Sequence, residues 1–91
     1  LMASGKSLQV EVVSHEGRLW HGAALSVQIP TVDGSLGILP GRQPLLAQLG
    51  DGTVTVTCSG EVVSVEVSGG FASIDSDFVT LVADSATVTA Q

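Results

Sequence analysis

Two histidines, one cysteine, a pair of close aspartates and two glycine clusters are the groups in this 91-residue chain whose type and spacing could do chemistry. His15 and His21 are separated by Arg18 and Trp20, and two imidazoles without a third ligand leave a metal site incomplete, so both read as hairpin-end residues. Cys58 stands on the apolar parity of its segment, where a thiol behaves as a small hydrophobe and no adjacent base activates it. Asp75 and Asp77 flank Ser76 in a turn sequence, a position that favours Asp for its backbone hydrogen bond rather than for acid catalysis or calcium. The Gly34-Ser35-Leu36-Gly37 and Gly69-Gly70 glycines lack the flanking signature of a phosphate cradle and read as tight turns. Trp20 and Phe71 read as strand-end core anchors. The residues therefore point to no catalytic centre, no cofactor or metal site, and a protein that is not an enzyme.

The elements that must carry these residues have period 2. Leu8, Val10 and Val12 alternate with Gln9 and Glu11, Leu25, Val27 and Ile29 with Ser26 and Gln28, and Val54, Val56 and Cys58 with Thr55 and Thr57. Val63, Val65 and Val67 continue the pattern, Phe78–Ala83 reads as a strand apolar on both sides, and Thr87-Val88-Thr89 as a last strand. Turn residues fall at Glu16-Gly17, Asp33-Gly34, Gly50-Asp51-Gly52, Ser59-Gly60, Gly69-Gly70 and Asp75-Ser76-Asp77, a spacing that indicates an all-β sandwich or barrel. No stretch repeats apolar residues at helical spacing. Residues 1–7 lack periodicity and are expected to be disordered or expression-derived, with the domain at 8–91.

Composition narrows the partners. Nine acidic residues against three basic ones give a net charge of −6, the reverse of what binding phosphate backbones or an anionic bilayer requires, so nucleic acid is excluded. Charged residues are only 13% and hydrophobic ones 44%, which excludes a disordered acidic tail. No apolar run reaches the ~20 residues of a membrane-spanning helix and no signal-peptide core follows Lys6, so direct membrane insertion is not expected. A single cysteine removes any intrachain disulfide and fits a reducing compartment. The isolated chain is expected to be a monomer.

The distinctive segment runs from Val32 to Leu46. Pro40 and Pro44 would break a central strand, so Ile38-Leu39 is expected to be a short strand leading into an irregular loop, with Gly37 in a conformation or close approach that opposes a Cβ. A loop so preorganised, partly apolar and tipped by Arg42 suits either docking to another protein or a structural crossover between sheets.

Here the chain resembles the N-terminal domain of the epsilon subunit of F-type ATP synthases, the delta subunit in mitochondria. The resemblance rests on Gly34-x-x-Gly37-Ile38-Leu39-Pro40-Gly41-x-x-Pro44-Leu45-Leu46, on Ser68-Gly69-Gly70-Phe71 and on Thr80–Ala86, in order and at the family's spacing, with Leu8–Ser14 and Leu19-Trp20-His21-Gly22 in support. Arg42 stands where many bacterial members carry His, which replaces a titrating contact by a permanent cation. The resemblance implies a flattened ten-stranded β-sandwich of two antiparallel sheets. It implies a non-catalytic rotor subunit at the cytoplasmic face of the bacterial plasma membrane, bound to the gamma subunit and the c-ring and coupling proton flow to ATP synthesis. It assigns inhibition of ATP hydrolysis, and any ATP motif, to a C-terminal helical hairpin expected to lie outside this chain. By position in the family motif, the Asp33–Gln43 loop, with Ser35, Leu36, Arg42 and Gln43, is expected to meet the c-ring and gamma, and Ser14, Ala47 and Ser68 to lie near a gamma-facing edge. An unrelated β-sandwich binding module is the alternative.

Overall fold

The computed structural model describes residues 7–90, so the expectation for residues 1–7 falls, apart from Ser7, outside the described residues. The described residues form eight strands: β1 (Leu8–Ser14), β2 (Gly17–Ala24), β3 (Ser26–Thr31), β4 (Gly34–Ile38), β5 (Leu45–Gln48), β6 (Gly52–Cys58), β7 (Glu61–Asp75) and β8 (Phe78–Ala90). The expected ten and the observed eight are reconciled by β7 and β8, which are long enough to serve two sheets. Residues 61–67 of β7 pair with β6, whereas Phe71–Ile74 pair with β5. Likewise Phe78–Val82 of β8 pair with β1, whereas from Ser85 on β8 pairs only with Ser64–Ser68 of β7. One sheet thus runs β2-β1-β8-β7-β5 and the other β8-β7-β6-β3-β4, hydrogen-bonded through the shared strands.

β7 changes sheet at Gly69-Gly70, and β8 does so opposite, at Ala83. The two glycines have φ of 69° and 113°, and a Cβ on Gly70 would stand 2.0 Å from the Val82 carbonyl oxygen. Only glycine permits β7 to cross β8 this closely. Three connections lie at this hinge end, the β1–β2 turn, the β3–β4 turn and Leu49–Asp51, where Leu49 N donates to Gly70 O at 2.8 Å. The Ala24–Ser26 and Leu39–Pro44 crossovers lie at the opposite, open end.

The alternation read from the sequence becomes the core. Leu8, Val10, Val12, Val27, Ile29, Val54, Val56, Val63, Val65 and Val67 are all buried and join Ile74, Val79 and Leu81 in one cluster. Each such side chain contributes roughly 1.5–3 kcal/mol of hydrophobic stabilisation. Cys58 packs against this cluster, and burial, with the Glu61 carboxylate adding to it, raises its thiol above the ordinary value, so the thiolate is disfavoured.

Several expectations need correction. The sheets are not wholly antiparallel, because β1 runs parallel to β8 from Gln9↔Phe78 to Val13↔Val82. Leu25 is not a core strand residue: it occupies the bend between β2 and β3, 49% exposed. Phe78–Ala83 is apolar on both sides but buried on one, with Val79, Leu81 and Ala83 inside and Phe78 and Val82 outside. Thr87-Val88-Thr89 ends β8 rather than forming a separate strand, and Leu19-Trp20-His21-Gly22, which the resemblance places at an aromatic-x-Gly turn, lies within β2, where Gly22 leaves room for the Trp20 ring. Phe71 is 55% exposed and is no core anchor.

Gly37 is also not constrained. It lies in β4, and a Cβ built on it meets nothing within 4 Å. Gly37→Val should therefore change stability by no more than ~0.5 kcal/mol, since a strand interior favours a β-branched residue over glycine. A chemical-denaturation midpoint checks this, and a loss above ~1 kcal/mol would restore the original expectation.

Candidate partner-binding surfaces

The segment expected to be one loop is a hairpin, a strand and a crossover. β3 and β4 are joined by a turn at Val32-Asp33, and Thr31 builds it: its hydroxyl accepts the Asp33 amide at 3.1 Å and donates to the Gly34 carbonyl at 2.6 Å. With its backbone so held, Asp33 stands exposed at the hairpin tip. The bridge between Thr31 and Leu49 places this tip at the hinge end. Strand β4 then runs to the open end, where Pro40, Gly41, Arg42, Gln43 and Pro44 cross to the other sheet. At about 3.3 Å per residue, β4 separates Asp33 from Arg42 by the height of a sheet.

The expected site residues therefore fall into groups. Asp33, Ser35, Leu36 and Ala47 share a cleft of about 490 Å³ between the β3–β4 hairpin and β5, two sheet-edge elements. Ser35 is exposed and accepts from Gln28 Nε2 at 2.8 Å, whereas Leu36 is half-buried against the core. Ser14 and Ser68 lie elsewhere at the hinge end. Ser14 is 7% exposed and its hydroxyl accepts the Glu16 amide at 3.1 Å, so its first task is to close the β1–β2 turn. Ser68 is exposed and donates to Asp51 Oδ1 at 3.0 Å. The neighbouring His15 Nδ1 lies 3.3 Å from the Asp84 carbonyl oxygen.

Arg42 and Gln43 stand apart at the open end. The Arg42 side chain is half-buried, with Nε donating to the Gln43 carbonyl at 3.3 Å. Among the described residues the ion pair is Arg18–Glu11, at 3.4 Å, which leaves the Arg42 guanidinium without a carboxylate. The loop is fixed from another element: the Gly41 amide donates to Asp77 Oδ1 at 2.7 Å.

One surface was not read from the sequence. Leu46, Phe71 and Val82, exposed by 70%, 55% and 49%, line one dip on the outer face of the first sheet with Ser73 and Thr80. The signal is present in the two-sided apolar character of β8, which by itself does not distinguish burial on both faces from an exposed apolar stripe. Among the described residues no three His, Cys, Asp or Glu side chains gather as a metal site, and no helix is long and apolar enough to cross a membrane.

Comparisons with known proteins identify the family and agree with the fold. Residues 7–89 match the family described as ATP synthase, Delta/Epsilon chain, beta-sandwich domain. An ATP synthase epsilon chain of Micrococcus luteus is 51% identical over 80 residues, covering 87% of this chain and 88% of that protein. One of Corynebacterium jeikeium is 46% identical over 82 residues, covering 88% of this chain and 67% of that protein. A chain in the cryo-EM structure of the Euglena gracilis mitochondrial ATP synthase shares the fold, with a TM-score of 0.84 at 22% identity; the match covers 91% of this chain and 54% of that one. A chain of the Tetrahymena thermophila mitochondrial ATP synthase central stalk and c-ring does so with a TM-score of 0.75 at 14% identity, covering 88% of this chain and 65% of that one. The sandwich with its Gly69-Gly70 crossing, the Gly34–Leu46 segment and the family match over nearly the whole length lead to one assignment: the chain belongs to the delta/epsilon chain family of ATP synthase subunits.

Proposed function

We propose that the chain is a rotor subunit of the central stalk of a proton-translocating F-type ATP synthase, itself non-catalytic, that joins the gamma subunit to the c-ring and so couples proton flow to ATP synthesis. The observation that carries this reading is the family match over residues 7–89 of a sandwich whose two sheets share continuous strands. A joint that transmits torque must not deform, and two sheets locked by shared strands and a single core resist shear better than two sheets held by side chains alone. The separation of Asp33 from Arg42 supports a division of contacts. The acidic hinge end, with Asp33, Asp51 and Asp84, faces one partner, the c-ring, while Arg42 and Gln43 at the open end face gamma; Ser14, Ala47 and Ser68, set toward the hinge end, belong to an edge of the sandwich that also meets gamma. The chain then sits peripherally at the cytoplasmic face of the bacterial membrane, held there by the ring. Residues 8–91 act as one domain.

Retention of both gamma and detergent-solubilised c-ring by the tagged chain tests this. On a Cys58→Ser background, Asp33→Cys should form disulfide cross-links to a cysteine-bearing c-ring loop and Arg42→Cys to gamma. Retention of neither partner would reject the rotor reading, and cross-links from elsewhere with none from these two would reject the division of contacts.

A further inference from the structure

We infer that Asp77 is a positioning residue that holds the Arg42 crossover in its docking shape, an inference that rests on the reading of that crossover as a gamma contact. Asp77 and Ser76 form the two-residue turn between β7 and β8, with φ of 67° and 52°. Turns of this kind favour glycine in such positions, and side chains there are strained. Glycine at position 77 would relieve the strain, yet the residue present is one whose carboxylate reaches across 36 positions of sequence to the Gly41 amide, at 2.7 Å. The same residue's carbonyl accepts the Gln9 amide at 2.8 Å, which ties the turn to the start of β1. Asp77 therefore fastens the loop to the β7–β8 turn and, through that turn, to β1.

The bond falls on the residue immediately before Arg42. Pro40 and Pro44 restrict the loop on either side, but Gly41 has φ of 87° and no Cβ, so it is the loop's loosest joint. A hydrogen bond to a charged acceptor at that joint fixes the direction in which the chain delivers Arg42. The guanidinium lacks a carboxylate among the described residues, and holding it in place before binding spares the ordering entropy of docking.

Three variants of the full chain separate positioning from mere folding. Asp77→Gly should keep or raise the thermal midpoint, because it relieves a left-handed side chain. It should nevertheless speed hydrogen exchange of the Gly41 amide by about tenfold, the equivalent of one hydrogen bond to a charged group, and weaken binding to purified gamma several-fold. Asp77→Asn tolerates the same backbone and keeps the Oδ1 acceptor, so it should restore gamma binding to near the parent value. Asp77→Ala should lose both binding and midpoint. An unchanged Gly41 exchange rate in Asp77→Gly would overturn the latch. Accelerated exchange with parental gamma affinity, or an affinity loss that follows the midpoint through all three variants, would overturn the positioning role. If the parent chain itself fails to bind gamma, the docking reading falls and the positioning role with it, while the exchange data still decide whether the bond holds the loop.

Discussion

Replacing Gly70 with alanine should be the most damaging single-methyl change available in this protein. The added Cβ would lie 2.0 Å from the Val82 carbonyl oxygen and 2.8 Å from the Ala83 Cα, both backbone atoms, so no side-chain rotation can relieve the clash. The two strands must separate by about 1 Å at the point where both change sheet, or φ must leave +113°, which would redirect the second half of β7. Either response disturbs the Gly70↔Ala83 pairing and the Leu49–Gly70 hydrogen bond. We expect a loss above ~3 kcal/mol, a large part of the ~5–10 kcal/mol that holds a domain this small. Gly69→Ala provides the internal control. Its Cβ meets the Asp84 carboxylate oxygen at 2.6 Å, but that is the end of a flexible side chain, so the remaining penalty is the left-handed backbone at ~1 kcal/mol. Urea unfolding should leave the parent and Gly37→Val close together, followed by Gly69→Ala and then Gly70→Ala. Equal midpoints for the two hinge variants would show that the strands do not cross as described.

The contrast between Gly37 and Gly70 shows what was legible in the sequence and what was not. Strand identity was legible because burial follows a period of two, and apart from Ser14 the buried residues of β1, β6 and the first half of β7 were marked by their type. The hinge was visible only as a turn, since a glycine pair does not disclose whether a chain reverses there or passes through into a second sheet. Gly37 looked constrained because it sits among prolines and glycines, yet the constraint at such a position comes from atoms distant in sequence, and there are none beside it. The parallel β1–β8 pair was hidden for a related reason: partners so far apart along the chain leave no local signal.

The candidate surfaces follow the same rule. The Gly34–Leu46 segment was found from its residues and motif, but reading it as one loop concealed the five residues of β4 that carry Asp33 and Arg42 to opposite ends. Asp77 was recognised as a turn former through the local preference of Asp. Its bond to Gly41, 36 positions away, depends on the two sheets meeting and could not be read from neighbours.

Added to ATP synthase depleted of its epsilon subunit and reconstituted in proteoliposomes, the chain should restore proton-driven ATP synthesis without restoring inhibition of hydrolysis. Coupling requires that ring and gamma turn in fixed register, and a rigid sandwich with the proposed contact groups at its two ends would supply that. Inhibition, on the family resemblance, belongs to a helical hairpin, and the described residues contain only strands, turns and connecting segments. Charge reversal at either end should uncouple the enzyme while leaving the domain folded, because Asp33 is exposed at a hairpin tip and Arg42 has no carboxylate partner among the described residues. Breaking a close charge contact at an interface typically weakens binding by tenfold or more. Arg42→Glu should therefore lose gamma before it loses the ring, and Asp33→Arg the ring before gamma, each with proton leak rising as synthesis falls. Synthesis fully sustained by both variants would mean that the contacts lie elsewhere on the sandwich. Full inhibition of hydrolysis by this chain would place the inhibitory element within the β-sandwich and overturn the division between coupling and inhibition.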